Sequence, residues 1–342
     1  MKKTFIKYKY YIIAFLVLFI PLMSISIYQI EYSLIAPGLT DNIDTFLIIE
    51  GGYNTENTFH TTSVMVVDKV TVLQYLLGNL DNKITVREFP EYYNHINLDD
   101  LNTMDYLMKD NSLSTSIVVG IQNSNYNIDY NSYLTVYLIY DYLSPNSLEI
   151  GDKILEVNGS SDLETTLNNI ACGDTAVFKI IRDDEILSVS AVNNLHDDET
   201  CSFGIYLKYY TEIINKDDRV NIEIVKTNTG GPSGGLMQAL FVYYSLTASN
   251  IETNLKIAGT GTIDIDGNVG PIGGVEQKII TATLNNIDLF FVPHLSDDDN
   301  DNYIKALKVL NTLNTDMLLV GVSTFDEALE FLNNYTRGGS NE

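Results

Sequence analysis

Two short stretches of this sequence hold residues whose type and spacing suit covalent chemistry. The first is Thr229-Gly-Gly-Pro-Ser-Gly-Gly235. Its glycines let the backbone turn sharply and Pro232 stiffens the approach, so Ser233 stands where an apolar-striped helix begins. The amide N–H groups at a helix start have no partner inside the helix. They point at whatever such a serine attacks, which makes a natural oxyanion site. The same residues also describe a serine that does nothing more than cap the helix.

The second stretch is Ala258-Gly-Thr-Gly-Thr-Ile-Asp-Ile-Asp-Gly-Asn-Val-Gly-Pro-Ile-Gly-Gly-Val-Glu-Gln-Lys278. The helix expected after Gly273-Gly274 puts Val275, Lys278, Ile279 and Ala282 on one stripe, so Lys278 faces the core. Two outcomes are open to a lysine in that place. Its stem can pack while the ammonium snorkels to water, or the amine can stay dry, lose pKa and act as a base.

The elements that must position these residues read as α/β. Val220–Val225 alternates as a strand, and Leu236–Ser249 carries Leu236, Leu240, Tyr243 and Tyr244 on one helical face. Lys256–Asp264, Leu289–Pro293 and Met317–Val322 read as strands, Ile304–Leu313 as a helix. Thr324 and Glu327 form a capping box for a last helix over 325–334. Strand and helix alternating at this spacing imply parallel strands with crossover helices.

The segment 117–195 has another rhythm. Leu134–Ile139 alternates as a strand, Gly151–Gly159 is a strand closed by an Asn-Gly turn, and Leu163–Ile170 is a short helix. Ala176–Ile181 and Ile186–Val192 form a hairpin about Asp183-Asp184. Before it, 31–116 reads as mixed: a strand at Thr45–Ile49 in a long hairpin with Thr61–Val67, a helix at Val70–Leu80, and a polar stretch over 81–116 with no look of chemistry.

Gly231-Pro-Ser-Gly-Gly235 and Gly270-Pro-Ile-Gly-Gly-Val-Glu-Gln-Lys278 together resemble the protease domain of the Lon family, which uses a serine–lysine dyad. The likeness implies Ser233 as nucleophile and Lys278 as base, with Gly231 and Pro232 shaping the turn. It also puts Thr260 near the amine, orienting it. Gly234 stands where the family usually has alanine. Residues 117–195 resemble a bacterial PDZ domain, a family that binds peptide ends as an added strand. Its carboxylate-binding loop would fall near Asn131–Leu134, which lack the familiar glycine-rich signature. A β-rich spacer without a ligand is the competing reading.

Residues 11–30 carry no charge and are long enough to span a bilayer core of ~30 Å. Lys2, Lys3, Lys7 and Lys9 precede them and favour a cytoplasmic N-terminus. An uncleaved anchor competes here with a cleavable signal peptide. The order anchor, PDZ, Lon-type domain resembles the YlbL family of membrane-anchored PDZ–Lon serine proteases. That likeness implies that 44–67 pack as strands against 200–335. The expected organisation is therefore α+β and multidomain: a basic tail (1–10), a transmembrane helix (11–30), an extracytoplasmic region (31–116), a PDZ module (117–195) and a Lon-type protease domain (196–342).

Composition narrows the function. The chain of 342 residues is 45% hydrophobic, enough for real cores. After the first ten residues it carries 16 basic against 45 acidic groups, a net of −29, which repels phosphate backbones and argues against nucleic-acid binding. No G-x-x-x-x-G-K-[ST] loop occurs, so no ATP use is expected. Cys172 and Cys201 are too few for a structural zinc site, and stand either as a disulfide or as two unrelated thiols. Asp264-Ile-Asp-Gly267 and Asp297–Asp301 lack EF-hand spacing and read as a hairpin turn and a helix-capping loop. No metal or other cofactor is expected. The expectation is an ATP-independent, single-pass membrane serine endopeptidase acting on unfolded or flexible extracytoplasmic protein segments. A homo-oligomer is left open by resemblance, because Lon-type domains often form rings. A catalytically inactive PDZ adaptor is the alternative.

Overall fold

The computed structural model describes residues 2–53, 58–90, 96–140, 147–195, 200–227, 229–248 and 254–338. His95, His196 and the terminal residues 339–342 lie outside them.

Helix α1 runs over Lys2–Ile27 with Pro21 inside it. Its stretch Tyr8–Ile27 is long and apolar enough to cross a membrane, and none of it is buried against the rest of the chain. The helix stops three residues short of the expected span of 11–30. Ile30 N–H donates to Val70 O at 2.9 Å and Val72 N–H to Tyr28 O at 3.0 Å, so the end of that segment belongs to the folded body.

Strands β1 (Tyr32–Asn42), β2 (Leu47–Glu50) and β3 (Thr58–Val67) follow, then α2 (Val72–Gly78), β4 (Thr85–Glu88) and α3 (Leu98–Gln122). A Thr71–Gln74 capping box opens α2. The hairpin expected between the Thr45–Ile49 strand and β3 does not form. β2 pairs instead with a later strand, β12 (Asn221–Ile224), and β3 pairs with β1. Helix α3 crosses both the polar stretch 81–116 and the expected boundary at 116/117. Its first half is rich in Asp and Asn but carries Leu98, Leu101, Met104 and Met108 at helical spacing, and its second half buries Ser112, Thr115, Ser116 and Gly120 among its apolar residues. Small residues let the next helix approach: a Cβ on Gly120 would stand 2.6 Å from Val242.

The β-rich module contains β5 (Ile128–Ile139), β6 (Lys153–Val157), α4 (Leu163–Asn168), β7 (Thr175–Arg182) and β8 (Glu185–Val192). After it come the short pair β9 (Asn194–Leu195) and β10 (Cys201–Ser202), and then β11 (Ile205–Lys216). Asn158 and Asp183-Asp184 take positive φ, as the expected tight turns require. The sheet order is β11-β5-β6-β7-β8, so a strand from beyond residue 195 completes this module. Asn131–Leu134 lie inside β5, paired with β11, and form no loop. Cys172 and Cys201 are joined as a disulfide that ties the loop after α4 to β10.

Helix α5 (Gly235–Leu246), β13 (Lys256–Gly259), the β14–β15 hairpin (Thr262–Ile263 and Val269–Gly270), α6 (Val275–Leu284), β16 (Leu289–Pro293), α7 (Asn302–Leu310), β17 (Leu318–Val322) and α8 (Phe325–Gly338) complete the chain. Thr324 caps α8 as expected, but Glu327 returns its bond to the N–H of Ser323. A six-stranded sheet in the order β17-β16-β13-β3-β1-β4 runs through the centre, with the first four strands parallel. Side chains alternate across it. Ile257, Leu289 and Phe291 pack with α3, α5 and α8 on one face. Ala258, Phe290 and Val292 pack with α6 and α7 on the other. The expected packing of 44–67 against 200–335 is present in β2–β12 and in β3–β13.

Candidate active site

Ser233 ends the loop before α5 on one face of the central sheet, and Lys278 lies on α6 on the other. They meet because β13 leaves the sheet. Its pairing with β3 begins at Lys256↔Thr58 and ends at Gly259↔Thr61, after which Thr260-Gly261 turns toward the start of α5. Among the described residues β3 then has β1 on one side and no strand on the other. The side chain of Lys278 occupies that place.

Lys278 Nζ lies 2.9 Å from Ser233 Oγ and donates to Thr62 O at 2.6 Å. The residue is 2% exposed, and burial pushes its pKa down to about 7. A neutral amine that spends an N–H on the Thr62 carbonyl keeps its lone pair for another partner, and the serine hydroxyl is beside it.

The backbone of Ser233 is clamped. Its carbonyl accepts from Gly261 N–H at 2.8 Å and from Thr260 Oγ1 at 3.0 Å. This corrects the role expected of Thr260. Its hydroxyl holds the carbonyl of the serine, and the oxygen that orients the amine is that of Thr62. Gly231 has φ +81°, a left-handed turn that suits glycine. Pro232 O accepts from Ser112 Oγ at 3.0 Å, and Gly235 O from Ser116 Oγ at 2.9 Å, so α3 braces the loop. The backbone N–H groups of Ser233 and Gly234 donate to no described backbone carbonyl. They remain free to bind a developing negative charge.

A cavity of about 440 Å³ opens onto the pair, lined among others by Thr61, Val64, Asp105, Gly231 and Gly273. Gly234 faces Thr61: a Cβ at this position would stand 2.9 Å from Thr61 Cγ2. The contributions of Thr62 and α3 have no sequence signature. A backbone carbonyl carries no residue type, and the α3 side chains that brace the loop are ordinary serines, Ser112 and Ser116, in an Asn- and Asp-rich stretch. The Asp264 turn and the Asp301 cap form as expected, and no group of metal-ligating side chains occurs among the described residues.

Residues 207–333 match the Lon protease (S16) C-terminal proteolytic domain. The Lon protease of Neorickettsia sennetsu is 27% identical over 129 residues, covering 38% of this chain and 14% of that protein. The Lon protease of Helicobacter pylori is 27% identical over 187 residues, covering 52% of this chain and 21% of that protein. The chain thus spans less than a quarter of the length of these relatives. A solved PDZ domain of an SdrC-like protein from Listeria monocytogenes covers 22% of this chain at 18% identity with a TM-score of 0.19, too slight to carry an argument. The resemblance of the two motifs to Lon-type serine peptidases therefore holds over the segment that contains both Ser233 and Lys278.

Proposed function

We propose that this chain is an ATP-independent serine endopeptidase held in a membrane by α1, with Ser233 as nucleophile and Lys278 as general base. The observation that carries the proposal is the 2.9 Å between Lys278 Nζ and Ser233 Oγ at a site dry enough to bring the amine to a pKa of about 7. The amine takes the hydroxyl proton as Oγ attacks the scissile carbonyl. The N–H groups of Ser233 and Gly234 bind the oxyanion. Lys278 returns the proton to the leaving amine, and water then releases the acyl group through the same base. The mean field of an acidic protein favours the ammonium, but it is screened over ~8 Å at physiological salt, whereas the burial of Nζ is local.

The charge-free stretch 11–30 supports single-pass anchoring, and the four lysines before that stretch, in the first turns of α1, support an extracytoplasmic protease domain. With no phosphate-binding loop to drive unfolding, the substrates are proteins already unfolded, or flexible segments of folded ones. The β-rich module recruits them: β11 is its edge strand, and a cavity of about 400 Å³ lies between β11 and α4, suited to an added peptide strand.

The test uses the purified full chain in detergent with casein as an unfolded substrate and a fluorophosphonate probe. The expected result is cleavage without ATP and labelling of Ser233, with both lost in Ser233→Ala and in Lys278→Ala while the fold persists. Turnover retained by either variant overturns the dyad. Peptide binding without cleavage or labelling by the wild type identifies an inactive adaptor instead.

A further inference from the structure

Lys109 lies on α3, one helical turn after Asp105, and lines the cleft that opens onto Ser233. Its ammonium is spent on the strand of loop that leads to the serine. It donates to Thr229 O at 2.8 Å and Thr227 O at 3.4 Å, and it also bonds the hydroxyls of both threonines. Next along the chain, Asp105 O accepts from Gly231 N–H at 3.2 Å. Burial pushes the pKa of Lys109 down while Asp41 opposes this, as for an ammonium sheltered from water among fixed acceptors.

The loop needs such a hold. Gly230-Gly231 is the most flexible dipeptide a chain can place before a nucleophile, and a glycine loses more freedom on ordering than any other residue. Helix α3 in turn is seated on β11, which gives Lys109 a fixed base. Asn111 Oδ1 accepts from Thr211 N–H at 2.7 Å, Asn111 Nδ2 donates to Tyr209 O at 3.1 Å, and Thr115 and Thr211 share a bond of 3.0 Å.

We infer that Lys109 is a positioning residue for the reaction at Ser233: by gathering the oxygens of Thr227 and Thr229 around one ammonium, it fixes the glycine loop that forms one wall of the cleft and presents the nucleophile. This rests on Ser233 being the nucleophile. Lysine suits the task because its compact head can turn three donors toward acceptors on two neighbouring residues, while a methionine of similar length offers none.

The experiment compares the full chain in detergent with Lys109→Met, Lys109→Arg and the double variant Thr227→Val/Thr229→Val. It measures kcat and KM on casein, and hydrogen exchange of the amides of residues 229–231. Lys109→Met is expected to lower kcat by roughly 10- to 100-fold, as misplacing a reacting group by about 1 Å does, with KM changed by less than about threefold. The amides should exchange at least about tenfold faster as the loop opens more often. Lys109→Arg should recover part of both, and the acid limb of the rate, set by Lys278, should not move. A kcat within about twofold of wild type overturns the inference, whether or not exchange changes. If Lys109→Met does not fold, the threonine double variant keeps the charge and gives the same readings. If the wild type neither cleaves nor labels, the nucleophile reading fails by that observation. Unchanged exchange in Lys109→Met would then separately remove the hold on the loop.

Discussion

Lys278 donates to the carbonyl of Thr62 at 2.6 Å, one residue past the last pair that β3 makes with β13. An oxygen at the end of a ladder would otherwise need water. Here it receives an N–H of the amine, which leaves the lone pair available to the Ser233 hydroxyl beside it. The strand that ends early and the helix that supplies the lysine thus form one device.

The rate of peptide hydrolysis should rise with pH through about 7, where the buried amine loses its proton, and not near the ~10.4 of a free lysine. A profile of kcat/KM between pH 5 and 10 checks this. An acid limb centred above ~9 would mean that the base is solvated.

Stability should follow the same group in the opposite sense from a salt-bridged lysine. The folded pKa is lowered to about 7 from the ordinary 10.5 of a lysine, so between those two values the unfolded chain binds more protons than the folded one. Stability therefore rises with pH across that window, by an amount on the order of 5 kcal/mol at most. Lys278→Met should abolish activity, flatten this dependence and raise the melting temperature near pH 7 by several degrees, an effect that fades toward pH 10. Thermal melts at pH 6.5, 8 and 9.5 decide it.

Thr260→Val should lower kcat by about tenfold or more without moving the acid limb, because the hydroxyl clamps Ser233 O and does not touch the amine. A shifted acid limb in this variant would return Thr260 to the role of orienting Lys278.

Gly234→Ala should destabilise the protein by about 1–3 kcal/mol, since the new methyl group meets Thr61 Cγ2 at 2.9 Å and Gln238 Nε2 at 3.0 Å. Thr61→Ser removes the first of these atoms and should restore much of the loss in the double variant. Urea melts of the four proteins measure the coupling, and additive effects would deny it.

Sequence alone determined the chemistry on offer and the local elements. A serine among glycines before an apolar helix, and a lysine on the apolar stripe of another, can be read from residue types at helical spacing. So can the turns at Asn158 and Asp183-Asp184, because a tight turn asks for particular residues within a few positions. The charge-free run of α1 is legible for the same reason.

The tertiary structure decided the rest. The Asp- and Asn-rich first half of α3 obscures the helical spacing of Leu98, Leu101, Met104 and Met108, and its buried half mixes small polar residues with apolar ones, so that only the packing of α5 against Gly120 shows which face is inside. The partner of β2 lies more than 170 residues away in β12, and no nearby residue announces it. Thr260 looked like the partner of the amine because the two share a motif. Which oxygen is nearest Lys278 depends on where β13 turns aside, and so Thr62, on a strand 216 residues earlier, takes that place. Neighbours in sequence determine which conformations a segment favours. The burial that lowers the pKa of Lys278 comes from two helices and a sheet closing on one another, and it exists only once they have closed.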